Sequence, residues 1–153
     1  MATASKPAQT SEFVDSVVQL SFAVQGVLTR VAAEQHLSMS QVRLLGILRD
    51  RTPPMTAIAE HLGLDRSSVT GLVDRAERRG LVARTSSSRD ARVTIVGITS
   101  TGMDVARRLS AMVTTELDAL AQRVAKTDRD CIARVARACV DEQVRRELAG
   151  SGR

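Results

Sequence analysis

A pair of short helix-forming segments constrains the fold of this chain more than any other feature of its sequence. The first, "AIAEHLGL", follows the break at "RTPPM", where two prolines cannot continue a helix, and it ends near Gly63. The second, "RSSVTGLVDRAERRG", opens at Asp65 or Arg66 and closes at Gly80. Its helical periodicity predicts a buried stripe made of Val69, Leu72, Val73 and Ala76.

A serine-rich loop between two strand-like stretches follows these helices. Residues 81–85 and 92–98 predict strands, and residues 86–91 predict the polar tip of a hairpin. Val93, Ile95 and Ile98 are expected to anchor the hairpin on the core. Two short helices followed by a hairpin are typical of a winged helix-turn-helix, whose second helix can enter the major groove of DNA.

Longer helical segments flank this unit on both sides. Ser11, Ser40 and Thr56 are predicted to cap the first three helices, and Thr127 with Asp130 predicts a capping box for the last one. The fold class is therefore predicted to be mainly α with a small β-hairpin wing. The predicted regions are a disordered tail (1–10), a helical dimerisation region (11–35 and 100–149) and a winged helix-turn-helix DNA-binding domain (36–99).

The positive charge of the chain is concentrated in the predicted second short helix and the hairpin. The formal net charge is +5, and seven arginines against three acids between Arg66 and Arg92 leave +4 in that stretch alone. Charge concentrated beside a helix-turn-helix is the footprint expected of a DNA-binding protein. Because the chain has no Trp or Tyr and only two Phe, single-stranded bases would find almost no aromatic platform. We therefore expect double-stranded DNA as the partner.

Short polar side chains at the start of the second helix are candidates for DNA contact, because they approach base edges without blocking entry to the groove. These are Ser67, Ser68, Thr70 and Gly71. Arg66 adds charge where free N–H groups already favour phosphate. Arg75 is expected either to reach phosphate or to pair with Asp74, and Arg78 and Arg79 are read as ordinary helix-end charges.

Arginines of the hairpin are the second group of candidates. Arg89 and Arg92 are placed to enter a narrow minor groove or to bind phosphate, with Arg89 nearer the tip. Arg84 completes the predicted DNA-binding set. Asp90 cannot favour phosphate, so we expect it to pair with Arg92 or a neighbouring arginine and to hold the wing in shape.

The stretch from Ala57 to Gly102 resembles the MarR family of bacterial transcriptional regulators. The family pattern L-x-x-L-V-D-R-L-E-x-x-G-L-V-x-R, a wing D-P-x-D-R-R and a closing L-T-x-x-G is matched at several positions. The matching residues are Leu72, Val73, Asp74, Arg75, Glu77, Gly80, Leu81, Val82, Arg84, Asp90, Arg92, Thr99 and Gly102, with Ile98 in place of the closing Leu. The departures are Ala76, Ser87, Ser88 and Ala91.

The resemblance implies an obligate homodimer that binds a pseudopalindromic operator and acts as a ligand-responsive repressor. It also implies an effector pocket between the dimer helices and the winged-helix lobe. The candidate lining residues are Phe22, Arg43, Ile47 and Met112. The alternative is an architectural DNA-binding protein of low sequence specificity, since the basic wing would serve both functions.

Other classes of function have little support in the sequence. No nucleophile elbow, phosphate-binding glycine loop or metal-spaced set of histidines and carboxylates is present, so we expect no enzyme activity, cofactor or metal. Cys131 and Cys139 are expected to be buried inert thiols, or to form an intersubunit disulfide. His36 and His61 are expected to be structural rather than metal ligands. Because no secretory signal and no apolar run near about 18 residues is visible, we expect a cytoplasmic protein.

Overall fold

The computed structural model describes residues 6–88 and 90–150, apart from the side chains of 6–10, 143, 144 and 146–150. Six helices and one hairpin make up this part of the chain. In order they are α1 (Lys6–Glu34), α2 (Met39–Leu48), α3 (Met55–Leu62), α4 (Arg66–Arg78), β1 (Val82–Ser86), β2 (Thr94–Ile98), α5 (Ser100–Leu120) and α6 (Lys126–Gly150). This architecture confirms the predicted class, mainly α with a β-hairpin wing. The chain forms two compact units, Met1–Glu116 and Leu117–Arg153, and the winged helix lies in the first.

Helix α1 begins earlier than predicted. It starts at Lys6, so residues 6–10 belong to the helix rather than to a tail, and residues 1–5 lie outside the described part. Ser11 is therefore not an N-cap: its hydroxyl faces Asp15 one turn later, at 3.5 Å. The helix ends where His36 adopts a left-handed φ of 53° and the N–H of Leu37 bonds back to the carbonyl of Ala32 at 2.9 Å.

The predicted caps of α2, α3 and α6 are also wrong. The N-cap of α2 is Ser38, not Ser40, and it forms a capping box with Gln41: each side chain bonds the backbone N–H of the other residue. The N-cap of α3 is Pro54, so Thr56 lies inside the first turn. In the second unit, α6 begins at Lys126, and Thr127 therefore lies within that helix instead of capping it.

The start and end of α4 agree with the prediction. Asp65 is its N-cap and accepts the backbone N–H of Ser68. Gly63 and Gly80, on either side, have φ of 64° and 67°, which only glycine adopts without strain. The predicted buried stripe is confirmed, with Val69, Leu72, Val73 and Ala76 each exposed by 1% or less.

The hairpin packs through a different residue from those predicted. β1 and β2 are antiparallel, with Val82 opposite Ile98 and Ser86 opposite Thr94. On the other edge of β2, the N–H of Val96 bonds to the carbonyl of Pro53 at 3.0 Å. Val96 is fully buried, whereas Val93 is 37% exposed and Ile95 and Ile98 are only partly buried. Val96 is therefore the anchor.

The base of the wing is joined closely to the start of α5. The hydroxyl of Thr99 donates to the carbonyl of Gly80 at 2.6 Å and accepts the N–H of Gly102 at 3.0 Å. A Cβ placed on Gly102 would lie 2.0 Å from the carbonyl oxygen of Leu81. The glycine that closes the family pattern is thus required here by the close approach of the two backbones.

Much of the apolar surface of α1 is exposed. Phe13, Val17 and Phe22 are exposed by 61%, 49% and 64%. By length and composition alone, the stretch Ser11–Glu34 could cross a membrane, with a mean hydropathy of 1.3. One such helix is weak support for a membrane span, because core helices of globular proteins also meet this criterion.

Candidate nucleic-acid interface

The exposed first turn of α4 is organised by one carboxylate. Asp65 accepts the N–H of Ser68 at 2.9 Å and the hydroxyls of Ser67 and Ser68 at 2.6 and 2.7 Å. These hydrogen bonds, first that from the Ser67 hydroxyl, hold the pKa of Asp65 well below its ordinary value. Both serine hydroxyls therefore use their protons internally and present lone pairs outward, which suits acceptance from base amino groups.

The next turn of α4 carries the remaining predicted helix contacts. Thr70 is exposed, and its hydroxyl donates to the carbonyl of Arg66 at 2.8 Å. A Cβ on Gly71 would lie 3.3 Å from Nη1 of Arg75, so the guanidinium of Arg75 lies against this glycine. The alternative pairing of Arg75 with Asp74 is not what the structure shows, since Asp74 bonds Arg84.

Arg84 connects the wing to α4. Its guanidinium contacts Asp74 at 2.5 Å and Glu77 at 2.6 Å, and its backbone N–H donates to Glu77 at 3.1 Å. The side chain is 26% exposed. These contacts favour a supporting role for Arg84 over the predicted DNA contact. They also neutralise two acids of α4 that would otherwise repel phosphate.

The tip of the wing is shaped by Asp90. Its carboxylate accepts the backbone N–H of Arg92 at 2.9 Å, and its carbonyl accepts the N–H of Val93 at 2.9 Å. The predicted supporting role thus operates through the backbone of Arg92 and not through its guanidinium. Arg89, the other predicted wing contact, lies outside the described residues.

A cleft separates the start of α4 from the wing. It has a volume of about 380 Å³, and Arg66 and Arg92 line it together with Thr70. Within the described part of the chain neither arginine forms an ion pair. The structure therefore brings one predicted helix arginine, Arg66, and one predicted wing arginine, Arg92, to the same cleft. Thr56 and Thr94 also line it, although neither was predicted to do so.

Of the four predicted ligand-binding residues, Ile47 is partly buried on α2, and the other three have the following surroundings. Phe22 is exposed, Arg43 donates to the carbonyl of His61 at 3.3 Å, and Met112 accepts from the side chain of Gln35 at 3.6 Å. A smaller cleft of about 230 Å³ does lie between α2 and α5. It is lined by Val42, Leu45, Gly46, Arg49, Ala106, Leu109, Ser110, Val113 and Thr114, and thus by none of the four.

Neither cysteine is buried, and the ring of His61 has polar partners. Cys131 and Cys139 are both exposed on α6, so the prediction that they are buried was wrong. The ring of His61 contacts the carbonyl of Ala57 at 2.8 Å and the guanidinium of Arg51 at 3.3 Å. No group of three or more potential ligands that could hold a metal ion occurs among the described residues.

The structure gives Arg79 a role that sequence reasoning missed. Its guanidinium donates to the carbonyls of His36 and Gln35, at the end of α1. In the sequence it is indistinguishable from Arg78, an ordinary basic residue at a helix end. No local pattern identifies carbonyl partners that lie more than 40 positions away in the chain.

Comparison with known proteins supports the interpretation of this fold. The MarR family model matches residues 37–93. YfiV of Bacillus subtilis strain 168, an uncharacterized HTH-type transcriptional regulator, is 36% identical over 74 residues, which are 48% of this chain and 46% of that protein. The chain therefore matches somewhat less than half of the length of this relative.

Solved structures share the fold over most of the chain. NadR in complex with 4-hydroxyphenylacetate superposes with a TM-score of 0.68 at 21% identity, covering 91% of this chain and 97% of NadR. A mutant of MepR from S. aureus bound to an oligodeoxyribonucleotide gives a TM-score of 0.62 at 15% identity, covering 86% and 97%. At these identities the likeness establishes the fold and not the function. Together with the family match to residues 37–93, it shows that the winged helix of this chain is similar to that of the MarR family.

Proposed function

We propose that this chain is a homodimeric regulator of transcription that binds double-stranded DNA in a sequence-specific manner and acts in the cytoplasm. The observation that carries the proposal is the distribution of charge around α4. Arg84 neutralises Asp74 and Glu77, while Arg66 and Arg92 line an open cleft beside the exposed start of the helix. The surface offered to DNA is therefore basic although α4 itself carries acids.

The residues of α4 divide into a reading side and a packing side. Ser67, Ser68 and Thr70 are exposed, and their hydroxyl oxygens can accept from base amino groups in a major groove. Arg66 and Arg92 bind phosphates on either side of the cleft, which sets the register of the helix on the duplex. Arg75, lying against Gly71, supplies a further phosphate contact, and Arg89 is proposed as the minor-groove contact of the wing.

Exposed apolar residues on the flanking helices support a homodimer. α1 exposes Phe13, Val17 and Phe22, and in the second unit α6 exposes Ile132 and Val135 by 49% and 40%. Large apolar side chains exposed on helices are typical of an interface between chains. Light scattering should give twice the monomer mass of 16.5 kDa. Phe22→Glu should weaken the dimer, whereas Gln25→Glu, which changes an exposed polar residue of the same helix, should not.

We further propose that the regulator is a repressor. A small effector bound in the cleft between α2 and α5 would release it from DNA. Its volume of about 230 Å³ is below the range of about 300–1,000 Å³ usual for ligand pockets, so the effector is small. NadR is the precedent in this fold, because its structure contains 4-hydroxyphenylacetate. That compound is a suitable first probe: a rise in melting temperature that Ala106→Leu abolishes would support the cleft as the site.

DNA binding is tested by selecting fragments from a random duplex library, followed by gel shifts at two salt concentrations. A specific regulator should bind the selected sequence about 1,000-fold more tightly than random duplex, and a ratio below about 10 would instead indicate an architectural protein. The double variant Arg66→Gln/Arg92→Gln should lose affinity. Arg107→Gln/Arg108→Gln removes the same charge from α5 and serves as the control.

A further inference from the structure

The C-terminal end of α4 is attached to the end of α1 through one side chain. Arg79, the C-cap residue of α4, donates from Nη1 to the carbonyl of His36 at 2.5 Å and from Nη2 to the carbonyl of Gln35 at 3.3 Å. Carbonyls at a helix end have no partner within the helix, and a cation there is also favoured by the helix dipole. The contact is therefore a cap on α1 that is supplied by α4.

A second attachment holds the same end of α4 to α5. The hydroxyl of Thr99 donates to the carbonyl of Gly80, and its N–H donates to the carbonyl of Leu81 at 3.1 Å. The absence of a side chain at Gly102 lets these backbones approach. The C-terminal end of α4 is thus held between the end of α1 and the start of α5, while its other end is the one proposed to approach DNA.

We propose that Arg79 is a positioning residue that sets the angle of α4 relative to α1, and through it the distance between the two DNA-reading helices of the dimer. This inference rests on the proposed function. From Arg66 to Arg79 the helix is about 20 Å long, so a tilt of about 5° at Arg79 moves its start by about 2 Å. The two-fold axis doubles the change in separation, which then approaches the rise of one base pair, about 3.4 Å.

Arg79 acts through α1 and not by touching DNA. Its guanidinium donors are directed at the α1 carbonyls, and it lies at the end of α4 opposite to Arg66. Arg78, its neighbour, is also exposed and carries the same charge, but within the described residues it makes no such bond. Comparing variants of Arg79 and Arg78 therefore distinguishes an effect of the α1 contact from an effect of losing one positive charge.

The test compares Arg79→Gln, Arg79→Lys and Arg78→Gln on the selected operator and on operators with one base pair inserted or deleted between the half-sites. We expect Arg79→Gln to weaken binding to the original operator about 2- to 30-fold and to reduce the discrimination between spacings. The slope of log affinity against log salt should not change. Arg79→Lys, which retains one donor group, should fall between the wild type and Arg79→Gln, and Arg78→Gln should keep the spacing preference.

Two results would overturn the inference. One is an Arg79→Gln variant that keeps wild-type affinity and spacing preference. The other is weaker binding with a salt slope reduced by about 1 and an intact spacing preference, which would make Arg79 a phosphate contact.

A measurement on the DNA-free protein tests the role of Arg79 independently of whether the protein binds DNA. Amide hydrogen exchange of the DNA-free protein should be faster in Arg79→Gln at Gly80, Leu81 and Leu37, and unchanged in Arg78→Gln. If the wild type binds no duplex, the proposed function fails, but this pattern would still establish the coupling of α4 to α1. Equal exchange in the wild type and both variants would refute it.

Discussion

The carboxylate of Asp65 accepts the backbone N–H of Ser68 at 2.9 Å and so begins α4 with an acid on the surface that we propose to face DNA. An uncompensated acid there would oppose phosphate binding. Because Ser67 and Ser68 also donate to this carboxylate, its lone pairs are directed into the helix turn. The protein thus keeps an effective N-cap while limiting its electrostatic effect on the DNA-reading surface.

Asp65→Ala should lower the melting temperature by a few degrees at neutral pH, because the first turn loses its cap. Asp65→Asn can still accept the N–H of Ser68, so its melting temperature should fall by less. Calorimetry of the two variants beside the wild type checks this. If Ala and Asn destabilised equally, the charge rather than the cap would be the source of stability.

The contribution of Asp65 should depend on pH in a defined direction. Folding lowers the pKa of this carboxyl from its ordinary value of 3.8, so the ionised form stabilises the folded state above that value. As the pH falls below it, the unfolded state takes up a proton first and the contribution is lost. The difference in unfolding free energy between wild type and Asp65→Asn should therefore be full at pH 6 and shrink below about pH 4.

Arg84→Met should destabilise the fold by about 1–2 kcal/mol, because Asp74 and Glu77 lose a shared partner that is only partly exposed. It should also weaken DNA binding by leaving two free acids on α4. Denaturant unfolding and a gel shift measure the two effects. The double variant Arg84→Met/Glu77→Gln should recover part of the DNA affinity, and an unchanged affinity in Arg84→Met would contradict the supporting role.

Gly102→Ala should cost about 1–3 kcal/mol of unfolding free energy, since its Cβ would collide with the backbone of Leu81. Gly46→Ala is the matched control: nothing lies within 4 Å of its Cβ, and in a helix it should stabilise by about 0.5–1 kcal/mol. Denaturant unfolding of both variants tests the contrast. Equal effects would mean that the α5 junction relaxes to accept a side chain.

Arg92→Gln should lower the slope of log affinity against log salt by about 1 if its guanidinium binds a phosphate. Ser67→Ala should leave the slope unchanged and reduce discrimination between base pairs by about 1–3 kcal/mol. Titrations of both variants on matched and mismatched operators measure this difference. A Ser67 variant that retained full sequence discrimination would remove this serine from the reading side.

Local signals were enough to predict α4. Its cap at Asp65, its apolar stripe and its closing glycine all lie within one segment, and each was confirmed. The start of α2 was also locally encoded, but the S-x-x-Q pattern of Ser38 and Gln41 was overlooked in favour of Ser40. The packing of the hairpin was mispredicted: the core lies on the face of β2 that carries Val96, and the alternation of residues along a strand does not show which face is buried.

The residues of the candidate site could be predicted from the sequence, but the contacts among them could not. The exposed polar start of α4 and the arginines of the wing followed from residue type and position. The different roles of the arginines could not be predicted from residue type and position, because each role depends on which acid or carbonyl the guanidinium contacts in the folded chain. Arg84 meets acids 7 and 10 positions away, whereas Arg79 meets carbonyls 43 and 44 positions away.

The separation of exposed from buried residues on α4 has a consequence for how such a protein evolves. Ser67, Ser68 and Thr70 contribute nothing to the core, whereas Val69, Leu72 and Val73 on the same helix are almost completely buried. Substitutions at the three polar positions can therefore accumulate at small cost to folding. Under the proposed function, one copy can acquire a new operator after a gene duplication while the other keeps the ancestral one.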